Sequence, residues 1–234
     1  MTQLSKDSSG ALVWDMPTRL FHWGLLACVG GAFVSQWFYE RIPFIVHEVC
    51  GASALVLVTF RFFWGYFGPR YARFGAFIRG PAETAAYLRA VRKRQPPAVV
   101  GHTPTGGWMI LLLLLLIGLQ AGLGLFANDE TDAAGWLYGW VTHATSKQLT
   151  ELHEAVANLL LAAIAVHVLA VIAYRVVLKE DLVRPMLTGM RPGTRPEDAI
   201  DGHRWLRAAV ILALCAGALI GLIKIAPPLP DVLM

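Results

Sequence analysis

Charge is what this 234-residue chain has least of: only 15% of its residues are Asp, Glu, Lys or Arg, against about 25% in an ordinary soluble domain. The shortage is uneven, because long apolar runs alternate with short polar segments and 56% of all residues are hydrophobic. A disordered chain, a soluble nucleic-acid binder and an ordinary globular enzyme are all poor fits to that pattern. Cysteine is scarce too. Cys28, Cys50 and Cys215 are scattered through apolar runs, with no CxxC and no CxxCH, which argues against covalent c-type haem and against structural zinc. Buried thiols are the expectation. Carboxylates are missing from the middle of the apolar runs, since Glu48, Glu151 and Glu154 stand only at run ends. A proton or metal-ion transporter needs such groups at membrane depth, so that alternative is disfavoured.

What is present describes an integral membrane protein. A bilayer-spanning helix takes roughly 20 mostly apolar residues, and five segments qualify, at about residues 20–38, 47–67, 106–126, 152–178 and 205–225. The first is too aromatic for a cleaved signal peptide, and no small-residue cleavage site follows it. The expected fold class is all-α: one membrane domain over residues 1–234, a four-helix core over about 12–190, and a fifth transmembrane helix over about 205–225. Residues 81–92 read as a short surface helix, bounded by prolines at 96, 97 and 104.

Lysine and arginine set the expected orientation. The segment after the second run holds Arg70, Arg73, Arg79, Arg89, Arg92, Lys93 and Arg94 against Glu83, and the segment after the fourth holds Lys179, Arg184, Arg191, Arg195 and Arg204. Residues 127–150 carry one Lys147 with Asp129, Glu130 and Asp132. The basic segments belong inside, so both the N-terminus inside and the C-terminus outside are expected, in a cytoplasmic (inner) membrane. The net charge of +4 then faces anionic lipid rather than nucleic acid.

Ionisable groups within spans are costly and usually functional. His22 lies near the start of the first span, His47 opens the second, and His153 and His167 share the fourth. Fourteen residues place the last two about 40° apart around the helix and about 21 Å apart along it. One metal ion cannot bridge that distance, whereas two flat cofactors stacked at two depths suit it. Alternating topology puts His47 level with His153 on the outer side, and His22 with His167 on the inner side. Two His/His pairs would hold two six-coordinate b haems between facing helices. The inner levels match only if the first helix starts below the membrane surface or the fourth projects beyond it. A single such histidine would read as a polar group bonded to a neighbouring helix; four at consistent depths favour haem.

Arg61 sits 14 residues after His47, on the same face and at the inner level. A guanidinium matches a haem propionate bidentately, and snorkelling to the interface is the competing reading. Arg19, Arg41 and Lys147 are weaker candidates for the same task. His102, in a Gly-His-Thr-Pro turn, and His143 read as loop residues, and His203 as a surface residue.

The stretch Val-Trp-Asp-Met-Pro-Thr-Arg-Leu-Phe-His-Trp at residues 13–23 resembles the start of the prokaryotic cytochrome b561 and nickel–iron hydrogenase b-type cytochrome family. So do His47-Glu48, Phe60-Arg61-Phe62-Phe63-Trp64-Gly65, Gly101-His102-Thr103-Pro104, and Leu152-His153-Glu154 followed by His167. The resemblance covers roughly residues 12–190. It implies that His22, His47, His153 and His167 are axial ligands to the iron of two haem b groups. It also implies electron exchange between a membrane quinone and a redox partner outside the cytoplasm, a periplasmic c-type cytochrome or a hydrogenase. The connection over residues 39–46 is short for a hydrogenase cytochrome, and the fifth helix departs from small four-helix members that oxidise superoxide with quinone. The combination is similar to members that work beside c-type cytochromes. A structural anchor subunit, with haem but no quinone reaction, is the remaining alternative. No motif locates a quinone pocket; His102, Arg19 and the turn at residues 14–15 are guesses.

Overall fold

The computed structural model describes residues 10–130 and 133–228. Its helices are α1 (Met16–Trp37), α2 (Phe44–Phe67), the single turn α3 (Phe74–Phe77), α4 (Pro81–Arg92), α5 (Pro104–Gly124), α6 (His143–Val177), α7 (Val183–Thr188) and α8 (Trp205–Ile225). Two short strands, β1 (Ala11–Leu12) and β2 (Met190–Arg191), pair antiparallel. Among the described residues four helices, α2, α5, α6 and α8, are long and apolar enough to cross a membrane. The fold is an all-α membrane helix bundle. Residues such as Leu115, Leu169 and Leu206 are 68%, 63% and 80% exposed, which in this setting means facing lipid. The 22 residues of α1 have the length for a span, but His22, Ser35 and Gln36 dilute its apolar character, and it falls outside the set of four.

Between apolar helices in lipid, close packing replaces the hydrophobic effect as the main attraction. Small residues let α1 approach α2: a Cβ at Gly31 would lie 2.8 Å from Cys50 Sγ, and one at Gly24 3.5 Å from Leu57 Cδ1. α5 packs on both α2 and α6, and α8 lies against α2. Cys28 and Cys50 are partly covered and Cys215 is buried, all as free thiols. By contrast, α6 makes no extended contact with α1 or α2 among the described residues. A slot is left between them.

Caps and polar ties fix the helix starts. Asp15 is the N-cap of α1, accepting from Thr18 N at 2.9 Å and from Thr18 Oγ1 at 2.7 Å. The Trp64 indole donates to Asp15 Oδ1 at 3.1 Å, tying the end of α2 to the start of α1. The β1/β2 pair and α7 cover this end of the bundle, and Arg19 donates to the Met186 and Leu187 carbonyls at the end of α7. His203 is no free surface residue: its Nδ1 accepts from Met16 N at 3.0 Å. The surface helix falls on residues 81–92 as its prolines require.

The fourth apolar run becomes a longer helix than the sequence suggests. Thr142 caps α6 by accepting from Thr145 N at 3.2 Å, so His143 opens a helix rather than lying in a loop. At 35 residues, α6 is about 52 Å long, well beyond a hydrocarbon core of about 30 Å. At its far end the Tyr174 hydroxyl meets that of Tyr87 on α4 at 3.0 Å.

Candidate haem-binding site

Where α1 meets the short turn into α2, the four helices α1, α2, α5 and α6 enclose a cavity of about 270 Å³. Its walls include Ala32 and Phe33 from α1, His47 and Gly51 from α2, Gln120 and Gly124 from α5, and His153 and Ala157 from α6. The His47 and His153 rings face across it with centroids 6.3 Å apart. Metal–imidazole bonds are about 2.0–2.1 Å; with a ring radius of about 1.2 Å, two imidazoles on opposite sides of one metal atom have centroids about 6.4 Å apart. The observed separation fits an iron between them.

Both rings are held in the tautomer that ligation needs. His47 Nδ1 lies 3.0 Å from the Ala32 carbonyl, and His153 Nδ1 lies 2.9 Å from the Gln120 carbonyl. A carbonyl only accepts, so each Nδ1 carries the proton and each Nε2 keeps its lone pair, the arrangement by which a second-shell bond orients a metal-binding histidine. The Gln120 side-chain nitrogen donates to His153 Nε2 at 3.0 Å, while its Oε1 is buried without a partner. Gly51, one turn beyond His47, has open space where a Cβ would stand. A flat ring could lie against that bare backbone.

The second histidine pair lies toward the β1/β2 end. His22 and His167 are close enough to feel one another's charge, and His22 Nδ1 is buried with no hydrogen-bond partner. On α1, His47 reaches Ala32, ten residues and about 15 Å beyond His22. On α6 the two histidines are about 21 Å apart. Among the described residues no three His, Cys, Asp or Glu side chains converge on one point. A bare metal ion asks for three or four protein ligands, whereas a haem asks for two.

Below His22 the sequence reading needs correcting. Arg61 is 2% exposed and does not snorkel to water. Its guanidinium lies over the Phe74 and Phe77 rings, 5.3 and 5.7 Å from their centroids. His102 is no simple turn residue either. Its ring packs on Trp14 at 4.3 Å and on Phe77 at 4.6 Å. Burial, reinforced by the Arg61 and Arg191 charges, pushes its pKa down to about 3, so it stays neutral at physiological pH. The signal available in the sequence was its place among aromatic residues at one bundle end. Lys147 pairs with Glu130 at 3.5 Å, and Arg41 is exposed at the α1–α2 turn.

A helix bundle that opposes histidines across an apolar slot is built to hold haem in a membrane. The family model described as prokaryotic cytochrome b561 matches residues 13–189, and the chain belongs to that family. It is accordingly a multi-pass bacterial membrane protein, a b-type cytochrome that binds haem b and works in electron transfer. No curated protein and no solved structure matches the chain.

Proposed function

We propose that the protein binds two haem b groups per chain and carries electrons between the quinone pool and a redox partner outside the cytoplasm, a periplasmic c-type cytochrome. The observation that carries this reading is the His47–His153 separation of 6.3 Å; the unpartnered, buried Nδ1 of His22 supports a second site with His167. Haem b, when bound, supplies reversible one-electron iron chemistry tuned by its ligands and surroundings.

In this reading His47 and His153 ligate the outer iron, and His22 and His167 the inner one. Each iron would be held by two protein histidines, which would leave exogenous gases no open site. Ala32 and Gln120 hold the outer imidazoles in register through their carbonyls. Arg61 supplies a guanidinium to the inner propionates, and Arg19 secures the rim by holding α7. The N-terminus lies inside and the C-terminus outside, with α1 crossing beside α2, so that five helices span. Lipid surrounds the bundle, and quinone is the membrane substrate. The short turn at residues 39–46 leaves little for a hydrogenase to grip, which favours the cytochrome partner.

Rapid mixing of the purified protein with a reduced quinol, followed at the reduced b-haem absorbance band, tests the function. Reduction by quinol and reoxidation by an added c-type cytochrome are expected. Haem that neither quinol nor cytochrome touches would make the chain an anchor rather than a conduit.

A further inference from the structure

Arg61 and His102 each keep a buried polar nitrogen without a partner, Nη1 in one case and Nδ1 in the other. An unpaired buried charge is strongly unfavourable, and a buried polar nitrogen left without a partner loses the hydrogen bonds it had in water. Two such groups against one ring, Phe77, imply a shared ligand. Its chemistry follows from what is already spent. Asp15, the carboxylate nearest Arg61 in charge terms, accepts from Thr18 and Trp64 and forms no ion pair with Arg61 among the described residues. Arg191 is paired with Glu180. The missing group must therefore accept hydrogen bonds, carry negative charge, and offer two oxygens to a fork-shaped donor.

We propose that Arg61 and His102 together clamp an ionised propionate carboxylate of the haem ligated by His22 and His167. The proposal rests on the two-haem reading above and adds His102 to the site as a positioning residue. Depth supports it: the Phe21 and Phe60 rings, each one residue before His22 and Arg61, lie 6.5 Å apart. Enclosure supports it as well. Trp14, Phe74 and Phe77 seal the pair, which suits a carboxylate delivered from within the bundle rather than a free anion from water. A quinone carbonyl would accept the hydrogen bonds but not balance the guanidinium. The charged and titratable groups around the carboxylate are Asp15 at the N-cap of α1, His22 on α1, Arg61 on α2, His102, and Arg191 on β2. The sequences of α3 and of the first turn of α5 contribute none.

Optical redox titration of the purified haem-loaded protein, at several pH values between about 5 and 8, tests the clamp. The haem to follow is the one lost in His22→Ala. In the wild type its midpoint potential should be flat with pH, because Arg61 keeps the carboxylate ionised. Arg61→Gln should lower that potential, since a fixed positive charge favours the reduced iron, and should give it a pH slope as the carboxylate begins to titrate. Arg61→Lys should restore the flat profile, and His102→Gln should give a smaller drop in potential. An unchanged potential and profile in Arg61→Gln, with both haems retained, would overturn the clamp and leave the two-haem reading standing. If Arg61→Gln and Arg61→Lys both lose the haem, wild-type apoprotein reconstituted with haem dimethyl ester decides. Ester bound as tightly as the free acid overturns the clamp, and a loss of affinity confined to this site supports it. A wild type with no haem there overturns both.

Discussion

His47 and His153 face one another across the bundle with ring centroids 6.3 Å apart, and each donates a hydrogen bond from Nδ1 to a main-chain carbonyl of a neighbouring helix. The carbonyls belong to Ala32 on α1 and Gln120 on α5, so all four core helices define one histidine pair. Replacing either histidine by alanine should remove the outer haem and spare the inner one, while His22→Ala and His167→Ala should do the reverse. Difference spectra across a redox titration check this. Loss of the same spectral component in His22→Ala and His47→Ala would refute the pairing, provided chromatography shows the bundle intact.

Gly51 separates haem binding from folding. Its open side means that Gly51→Leu should leave the haem-free bundle as stable as the wild type, or slightly more so, since Gly in a helix interior costs roughly 0.5–1 kcal/mol relative to Ala. The same side chain should obstruct the outer cofactor. We expect haem content to fall while detergent-solubilised thermal stability of the apoprotein is kept. Full haem content in Gly51→Leu would mean that the ring does not lie there.

His102 should give the protein an acid sensitivity of defined sign. Its pKa is about 3 in the fold and about 6.5 in an unfolded chain. The unfolded state therefore binds the proton first, and stability falls as pH drops below about 6.5, by at most about 1.4 kcal/mol per pH unit from this group. Above that pH the group contributes no slope. His102→Gln should lose this increment, so its stability deficit at neutral pH should narrow between about pH 6.5 and 5. Thermal unfolding of both proteins across that range checks it, and a constant gap would contradict it.

Docking on the outer face meets a loop whose charge is already partly balanced. Glu130 lies 3.5 Å from Lys147 Nζ and 4.0 Å from His143 Nε2, and Asp129 accepts from Ala133 N at 3.0 Å; Asp132 lies outside the described residues. If the loop steers a partner with a basic haem rim, Lys147→Gln should speed transfer at low salt by unmasking Glu130. Asp129→Asn with Glu130→Gln and Asp132→Asn should slow it, and both effects should fade as salt screens beyond about 10 Å at 0.1 M. Transfer rates indifferent to all three changes would remove the loop from docking.

Four of the five expected spans and the surface helix were legible because apolar length and helical spacing are local properties of a chain. α5 begins at Pro104 and α8 at Trp205, each within two residues of the sequence reading. α6 was cut short there, since the polar turns from His143 onward are helical by capping and by contact with the loop before them, where Ser146 Oγ donates to the Phe126 carbonyl at 2.7 Å. The far end of α6 falls where the sequence reading put it, at Val177, ten residues past His167, and Tyr174 there meets Tyr87 on α4. The roles of His102 and His203 were not legible. Each depends on a partner far away in sequence, Trp14 for one and the Met16 amide for the other.

The most direct test of the central claim is the haem stoichiometry of the purified chain, read from the pyridine haemochrome spectrum against protein concentration, with acid-acetone extraction on the same sample. The proposed pairing of His47 with His153 and of His22 with His167 predicts two haem b per chain, both extractable. One haem or none, or haem that stays with the protein after extraction, would contradict the account.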